Sequence, residues 1–133
     1  MKIIIDTPFD IPGSTPQQRK TGGGKSTHPT PGLRYARAAW RALVEPYRPA
    51  KPMAGAVGLY VRLKYHTNDK RRVGRYKTTK PDGVNLLKLL EDEMTKAGYW
   101  KDDNQLADER IQRMWVSGES YAEIIAEELE ECP

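Results

Sequence analysis

Residues Lys80 to Leu106 read KPDGVNLLKLLEDEMTKAGYWKDDNQL, and the fold turns on this stretch. Leu86, Leu87, Leu90, Met94 and Ala97 recur at the spacing that lines up side chains on one face of a helix. Asp82 stands where an N-cap carboxylate belongs, and Gly98 where a helix closes on a left-handed residue. The spacing predicts one helix between them, of length about 22 Å. Two adjacent aspartates, Asp102 and Asp103, follow Tyr99 and Trp100. Neighbouring carboxylates repel, and burial of either raises its pKa unless a cation or donor groups hold the charge. Asp82 and Asp103 lie beyond opposite ends of the helix, so they meet only if the chain after Gly98 runs back toward the helix start.

Upstream, VGLYVRLKYH places Val57, Leu59, Val61, Leu63 and Tyr65 on one parity and Tyr60, Arg62, Lys64 and His66 on the other. That is a half-buried strand with a cationic outer face. From Arg62 to Lys80 there are eight basic residues and one acid, Asp69. Lys70, Arg71 and Arg72 are consecutive, so they cannot share one strand face. An ordinary charged hairpin would read this way, but the density favours phosphate contact by Lys70, Arg71, Arg72, Arg75, Lys77 and Lys80.

Further out, KIIID is a β-branched run stopped by Pro8, a first strand. Residues 7–30 hold prolines, Gly22–Gly24 and the cations Arg19, Lys20 and Lys25, which predicts a flexible basic loop touching a DNA backbone. The GGGKST within it lacks the first glycine of a phosphate loop, since Arg19 occupies that position, and HPTPG follows where a helix should open. No nucleotide cofactor is expected. Thr30-Pro31 is an N-cap and first-turn pair for a helix carrying Ala36, Ala39, Trp40, Leu43 and Val44, which ends before Pro46 or Pro49. Downstream, QLADERIQRMWV reads as a strand with one wet face. In SYAEIIAEELEE, Tyr121, Glu123 and Ile125 alternate, whereas Tyr121, Ile124, Ile125 and Leu129 fit a helix; the reading favours a strand followed by a frayed acidic tail over 127–133.

The chain has 133 residues, the size of a single domain over 1–133. Its one cysteine, Cys132, excludes an intrachain disulfide or a cysteine-based metal cluster and fits a reducing cytoplasm. No apolar run reaches the roughly 20 residues of a membrane helix, and no signal peptide is present, so no membrane partner is expected. Net charge is +4. Residues 1–80 carry 17 Lys and Arg against 4 Asp and Glu, whereas 81–133 carry 5 against 14. A basic half that grips phosphate beside an acidic half that holds divalent cations is the division a metal-dependent nuclease needs.

Singly, the candidate residues have plain explanations. Asp82 serves as an N-cap; Asp102, Asp103 and Asn104 are turn formers; Lys88 is an exposed lysine with Asp92 at i+4. His28, in the loop, and His66, at a strand end, read as surface or turn histidines. Taken in register, however, KPDGVNLLKLLEDEMTKAGYWKDDNQL resembles the central motif of the RusA-type Holliday-junction resolvases. That motif comprises an Asp-x-Asp-Asn-Leu-x-Lys helix start, a Thr/Lys-x-Gly-aromatic-Trp turn and Asp-Asp-x-Gln.

The resemblance implies an α+β fold, a two-layer domain with a small mixed β-sheet packed against two main helices. It also implies a homodimer that nicks opposing strands of a four-way junction during DNA recombination and repair, with Mg²⁺ as cofactor and Mn²⁺ as a possible substitute. By position it makes Asp82, Asp102 and Asp103 metal ligands, gives Asp82, Lys88 and Asp103 catalytic roles, and places Asn85 among the DNA-contacting or helix-capping residues. One position departs from the motif. Val84 stands where the second aspartate is usual, and an alkyl group cannot replace a carboxylate on a hard cation. Glu91, on the same face but about 10 Å further along the axis, cannot simply take its place. Either the site has rearranged or the protein is a weakened nuclease that binds branched DNA without cutting it.

Overall fold

The structure, a computed structural model, describes residues 1–13 and 30–130. Four strands, β1 (Lys2–Pro8), β2 (Val57–His66), β3 (Leu106–Val116) and β4 (Tyr121–Glu128), and two helices, α1 (Pro31–Val44) and α2 (Gly83–Ala97), make up its regular elements. Short 3₁₀ turns cover Glu45–Tyr47 and Asp103–Gln105. The strands form one mixed sheet in the order β1-β4-β2-β3. β4 pairs antiparallel with both β1 and β2, while β2 and β3 run parallel. Parallel neighbours need a long crossover, and α2 supplies it. The fold is α+β, with both helices packed against the sheet, as the resemblance implies.

The helix boundaries follow the capping chemistry. Leu33 N donates to the Thr30 hydroxyl at 3.2 Å, so Thr30 caps α1. Val84 N donates to Asp82 Oδ1 at 2.7 Å, so Asp82 caps α2. Gly98 closes α2 with φ +95°, a left-handed conformation that a side chain would strain, and its N–H donates back to Thr95 O.

The core lies between helices and sheet. Val57, Leu59, Val61 and Leu63 are buried on the inner face of β2, against Leu86, Leu89, Leu90 and Met94 of α2 and Trp40 and Val44 of α1 in one cluster. Glu93 lies within the buried stripe of α2, where Arg41 of α1 at 3.4 Å and Lys96 at 3.1 Å neutralise it. Tyr99 and Trp100 are both buried. The Tyr99 hydroxyl donates to Val44 O at 2.6 Å and the Trp100 indole to Thr95 Oγ1 at 2.7 Å, so the turn after α2 is bolted to both helices.

The last segment resolves as a strand because it is central: its backbone has a partner on each side. In β4, Ala122, Ile124 and Ala126 face the core. The acidic end is ordered rather than frayed as far as Leu129. Glu127 pairs with Lys2 and Gly58, Glu128 N donates to Met1 O and Leu129 N to Ala56 O. The Glu128 carboxylate takes the N-terminal ammonium at 3.0 Å and Ala54 N at 3.1 Å. Residues 131–133, with Cys132, lie outside the described residues.

Candidate active site

The turn entering α2 is held from beneath. The segment Gly74–Lys77 lies along the outer edge of β3, with Gly74 N donating to Trp115 O, Trp115 N to Arg75 O and Lys77 N to Arg113 O. Lys77 then turns inward and is 7% exposed. Its ammonium donates to Thr79 O at 3.0 Å, Thr79 Oγ1 at 2.9 Å and Lys80 O at 2.7 Å, and lies over the rings of Tyr65 and Trp115. Burial, with Arg113 and Arg72 nearby, pulls its pKa below the usual lysine value. Arg113 of β3 donates to the carbonyls of Thr79 and Pro81. Lys77 is therefore buried in a clamp, whereas the sequence placed it among the exposed phosphate-contacting cations. Every proton of its ammonium has an oxygen to bind, and those bonds shape the turn that presents Asp82.

Along α2, Val84, Lys88 and Glu91 share one face at i, i+4 and i+7. Val84 is 70% exposed, so it is not a core residue. Lys88 is exposed and makes no ion pair among the described residues. Asn85 is half-buried on the first turn. Glu91 lies beside Glu109 of β3; burial first, then this carboxyl neighbour and the charges of Asp92 and Asp103, push its pKa up to about 8. Asp102 caps the 3₁₀ turn by accepting from Asn104 N at 2.9 Å. Gln105 closes that turn, its Oε1 accepting from Lys101 N and Asp102 N while its amide donates to Met53 O and Gly55 O.

The chain after Gly98 does run back along α2, and Arg113 of β3 reaches the helix start. Asp103 stays close enough to Glu91 to act on its charge. Glu91 is nine residues beyond Asp82, about 13 Å along the axis. Asp82 lines a cleft of about 490 Å³ with Tyr76, Val84, Arg110 and Arg113.

The donors present are hard carboxylate oxygens of the kind Mg²⁺ takes. Among the described residues, no three Asp, Glu, His or Cys side chains converge to hold a metal ion. The ligand set implied by Asp82, Asp102 and Asp103 is not drawn together in this structure, and Val84 offers no oxygen beside Asp82.

The basic segment forms a turn over 69–74. Asp69 holds Arg71 through two bonds, of 3.2 and 3.3 Å, and Arg72 more loosely at 3.8 Å. The hydrogen-bonded Arg71 guanidinium keeps the Asp69 carboxyl below its ordinary value. The Arg72 guanidinium lies 5.2 Å from the Trp115 ring centre. Lys70, Arg75 and Lys80 are exposed. His66 is occupied with the β3–β4 turn: Nδ1 faces Gly118 O at 2.8 Å and Nε2 faces Asn68 Oδ1 at 3.0 Å. That is the turn histidine the sequence suggested. Arg19, Lys20, Lys25, His28 and the GGGKST run lie outside the described residues.

A protein-family model described as Endodeoxyribonuclease RusA matches residues 8–125. The chain belongs to the RusA family. Among curated relatives, a crossover junction endodeoxyribonuclease of Lactococcus phage r1t is 44% identical over 48 residues, covering 36% of this chain and 37% of that one. The Escherichia coli K12 protein of the same name is 34% identical over 74 residues, 56% of this chain and 55% of that one. The Enterobacteria phage 82 protein matches to the same extent. These alignments span from about a third to just over half of the relatives' lengths.

For a RusA-family chain, two features went unread in the sequence. The Glu91–Glu109 pair joins residues from different elements, and no local pattern links them. The Lys77–Arg113 clamp has a faint signal: a lysine four residues before a proline at a helix entry, in a segment whose neighbouring cations are exposed.

Proposed function

We propose that this RusA-family chain is a structure-selective endodeoxyribonuclease that recognises four-way DNA junctions and, as a homodimer, nicks opposing strands during recombination and repair. The supporting observation is the polar face of α2: the exposed Lys88, without an ion pair among the described residues, lies one turn before Glu91, whose charge Glu109 and Asp103 oppose. The cationic 69–80 segment leads directly into the start of the same helix. The segment would carry the phosphate backbone to the helix. The Lys88 ammonium, free of a carboxylate partner among the described residues, would stabilise negative charge on the scissile phosphate or leaving oxygen. The names of the relatives, crossover junction endodeoxyribonuclease, agree with this substrate class. A requirement for Mg²⁺, or Mn²⁺ in its place, belongs to the same proposal.

Val84 favours a second reading, a RusA-family protein that binds branched DNA with little or no cutting. Its exposed alkyl group occupies the motif's second acidic position, and the carboxylates around it do not converge. A labelled four-way junction incubated with Mg²⁺, Mn²⁺ or EDTA, beside a linear duplex, distinguishes the two. Paired, metal-dependent nicks near the crossover are expected from the first; tight junction binding without nicks, from the second. In the first case Asp103→Asn abolishes cleavage and leaves junction binding intact or tighter, since a negative charge facing phosphate has gone. Retained cleavage would remove Asp103 from the site.

A further inference from the structure

Two large apolar side chains are exposed in the Asp82 cleft, and the proposed cleavage chemistry uses neither. Tyr76 is 67% exposed and Val84 is 70% exposed, and both line that cleft. Single exposed apolar residues are ordinary on a protein surface; two in one concave site are not. Tyr76 is also firmly placed. It lies opposite Met114 in an isolated antiparallel bridge, with hydrogen bonds to β3 from Arg75 and Lys77 on either side. Because Lys77 turns inward to its clamp, the alternation of an extended chain turns Tyr76 outward. The ring is therefore held in position without being packed.

Its surroundings are cationic. Arg110 lies across the cleft, and Lys80 stands at the entrance to α2; both are exposed. A flat ring, an apolar wall and flanking cations together match a nucleotide: a base face to stack and phosphates to neutralise. We propose that Tyr76 is a stacking platform for one unpaired nucleobase of a DNA strand, with Val84 as the apolar wall of the same cleft and Lys80 and Arg110 on the flanking phosphates. This rests on the reading of the chain as a DNA-binding protein, and it gives both the protruding 74–77 edge segment and the exposed valine a use. An unpaired base is what a single-stranded or opened segment offers and a continuous duplex does not.

The test uses binding in EDTA, separate from cleavage. The probes are a labelled single-stranded oligothymidylate and an abasic strand of the same length, which keeps the phosphates but has no bases. Wild-type protein is expected to bind the thymidylate strand more tightly than the abasic one. Tyr76→Ala should weaken thymidylate binding roughly five- to a hundredfold and remove the preference, and Tyr76→Phe should keep it. The salt slope should not change, since no charge is removed. Equal binding by wild type and Tyr76→Ala, a preference that survives in Tyr76→Ala, or no binding of either strand by wild type would overturn the proposal. So would a wild-type dimer that sedimentation shows becoming a monomer in Tyr76→Ala, which would assign the ring to a second copy of the chain. A protein that stacks bases through Tyr76 yet never nicks a junction keeps this inference and loses the endonuclease reading. One that nicks junctions with Tyr76→Ala binding as wild type does the reverse.

Discussion

At the scale of single residues, Val84 is the most informative position. It is 70% exposed on the first turn of α2, so replacement by a charge meets solvent rather than core. Val84→Asp also puts a carboxylate near a helix N-terminus, where it is favourable by about 0.3–1 kcal/mol. The melting temperature should hold or rise, and junction cleavage at low Mg²⁺ should increase. A folded variant with no gain at any metal concentration would show that the missing aspartate does not limit the site. Glu91 offers a second prediction, through pH. Its folded pKa of about 8 lies above the ordinary 4.5, because burial and Glu109 disfavour its charge. Between those values the folded state holds a proton that the unfolded chain releases, so stability present at low pH is lost as pH rises toward 8. With a chelator present, denaturant midpoints should fall over this window in wild type and fall less in Glu91→Gln. Identical pH profiles would place the Glu91 carboxyl in water.

At the scale of elements, the entrance to α2 depends on one buried ammonium. Lys77→Met fits the aromatic surroundings but leaves the Lys80 carbonyl without its donor and the Thr79 carbonyl with Arg113 alone. Orphaned buried acceptors cost about 1–3 kcal/mol, and the exposure of this turn places the effect toward the lower figure. Thermal melts should record that loss, while the dependence of DNA binding on salt should stay at the wild-type slope. A reduced slope would return Lys77 to the set of phosphate contacts. The other end of α2 is fixed by different means. Gly98 reverses the chain, and Tyr99 and Trp100 anchor it to Val44 and Thr95, so β3 starts from a rigid point.

At the scale of the whole molecule, charge is divided between a cationic segment before α2 and carboxylates along and after it. Lys70, Arg71, Arg72 and Arg75 differ in freedom: Asp69 already engages Arg71 and Arg72, whereas Lys70 and Arg75 stand exposed. Each residue that contacts a phosphate on a duplex arm adds about 0.9 to the magnitude of the slope of log K against log salt. Replacing all four by alanine should therefore lower that magnitude by between about 1.8, if the two without an ion pair make the contacts, and about 3.6, if all four do. An unchanged slope would make the cluster solvated surface only.

What the sequence determined by itself was local. The strand Val57–His66, both helix caps, the glycine that ends α2 and the capping turn after Trp100 all follow from periods of two or 3.6 and from side chains that bond their own backbone a few residues away. What only the tertiary structure decided was long-range. The last segment satisfied both periods, and became a strand because β1 and β2 supply its hydrogen bonds on either side. Lys77 looked like its cationic neighbours, and became a clamp because Tyr65, Trp115 and three oxygens surround it. Arg113 looked like one more cation on a wet strand face, and became part of the helix entrance because the crossover returns the chain along α2 and brings its guanidinium to the carbonyls of Thr79 and Pro81. In each case the deciding partner is supplied by another part of the fold, and neighbours in space can be encoded only by the packing that brings them together.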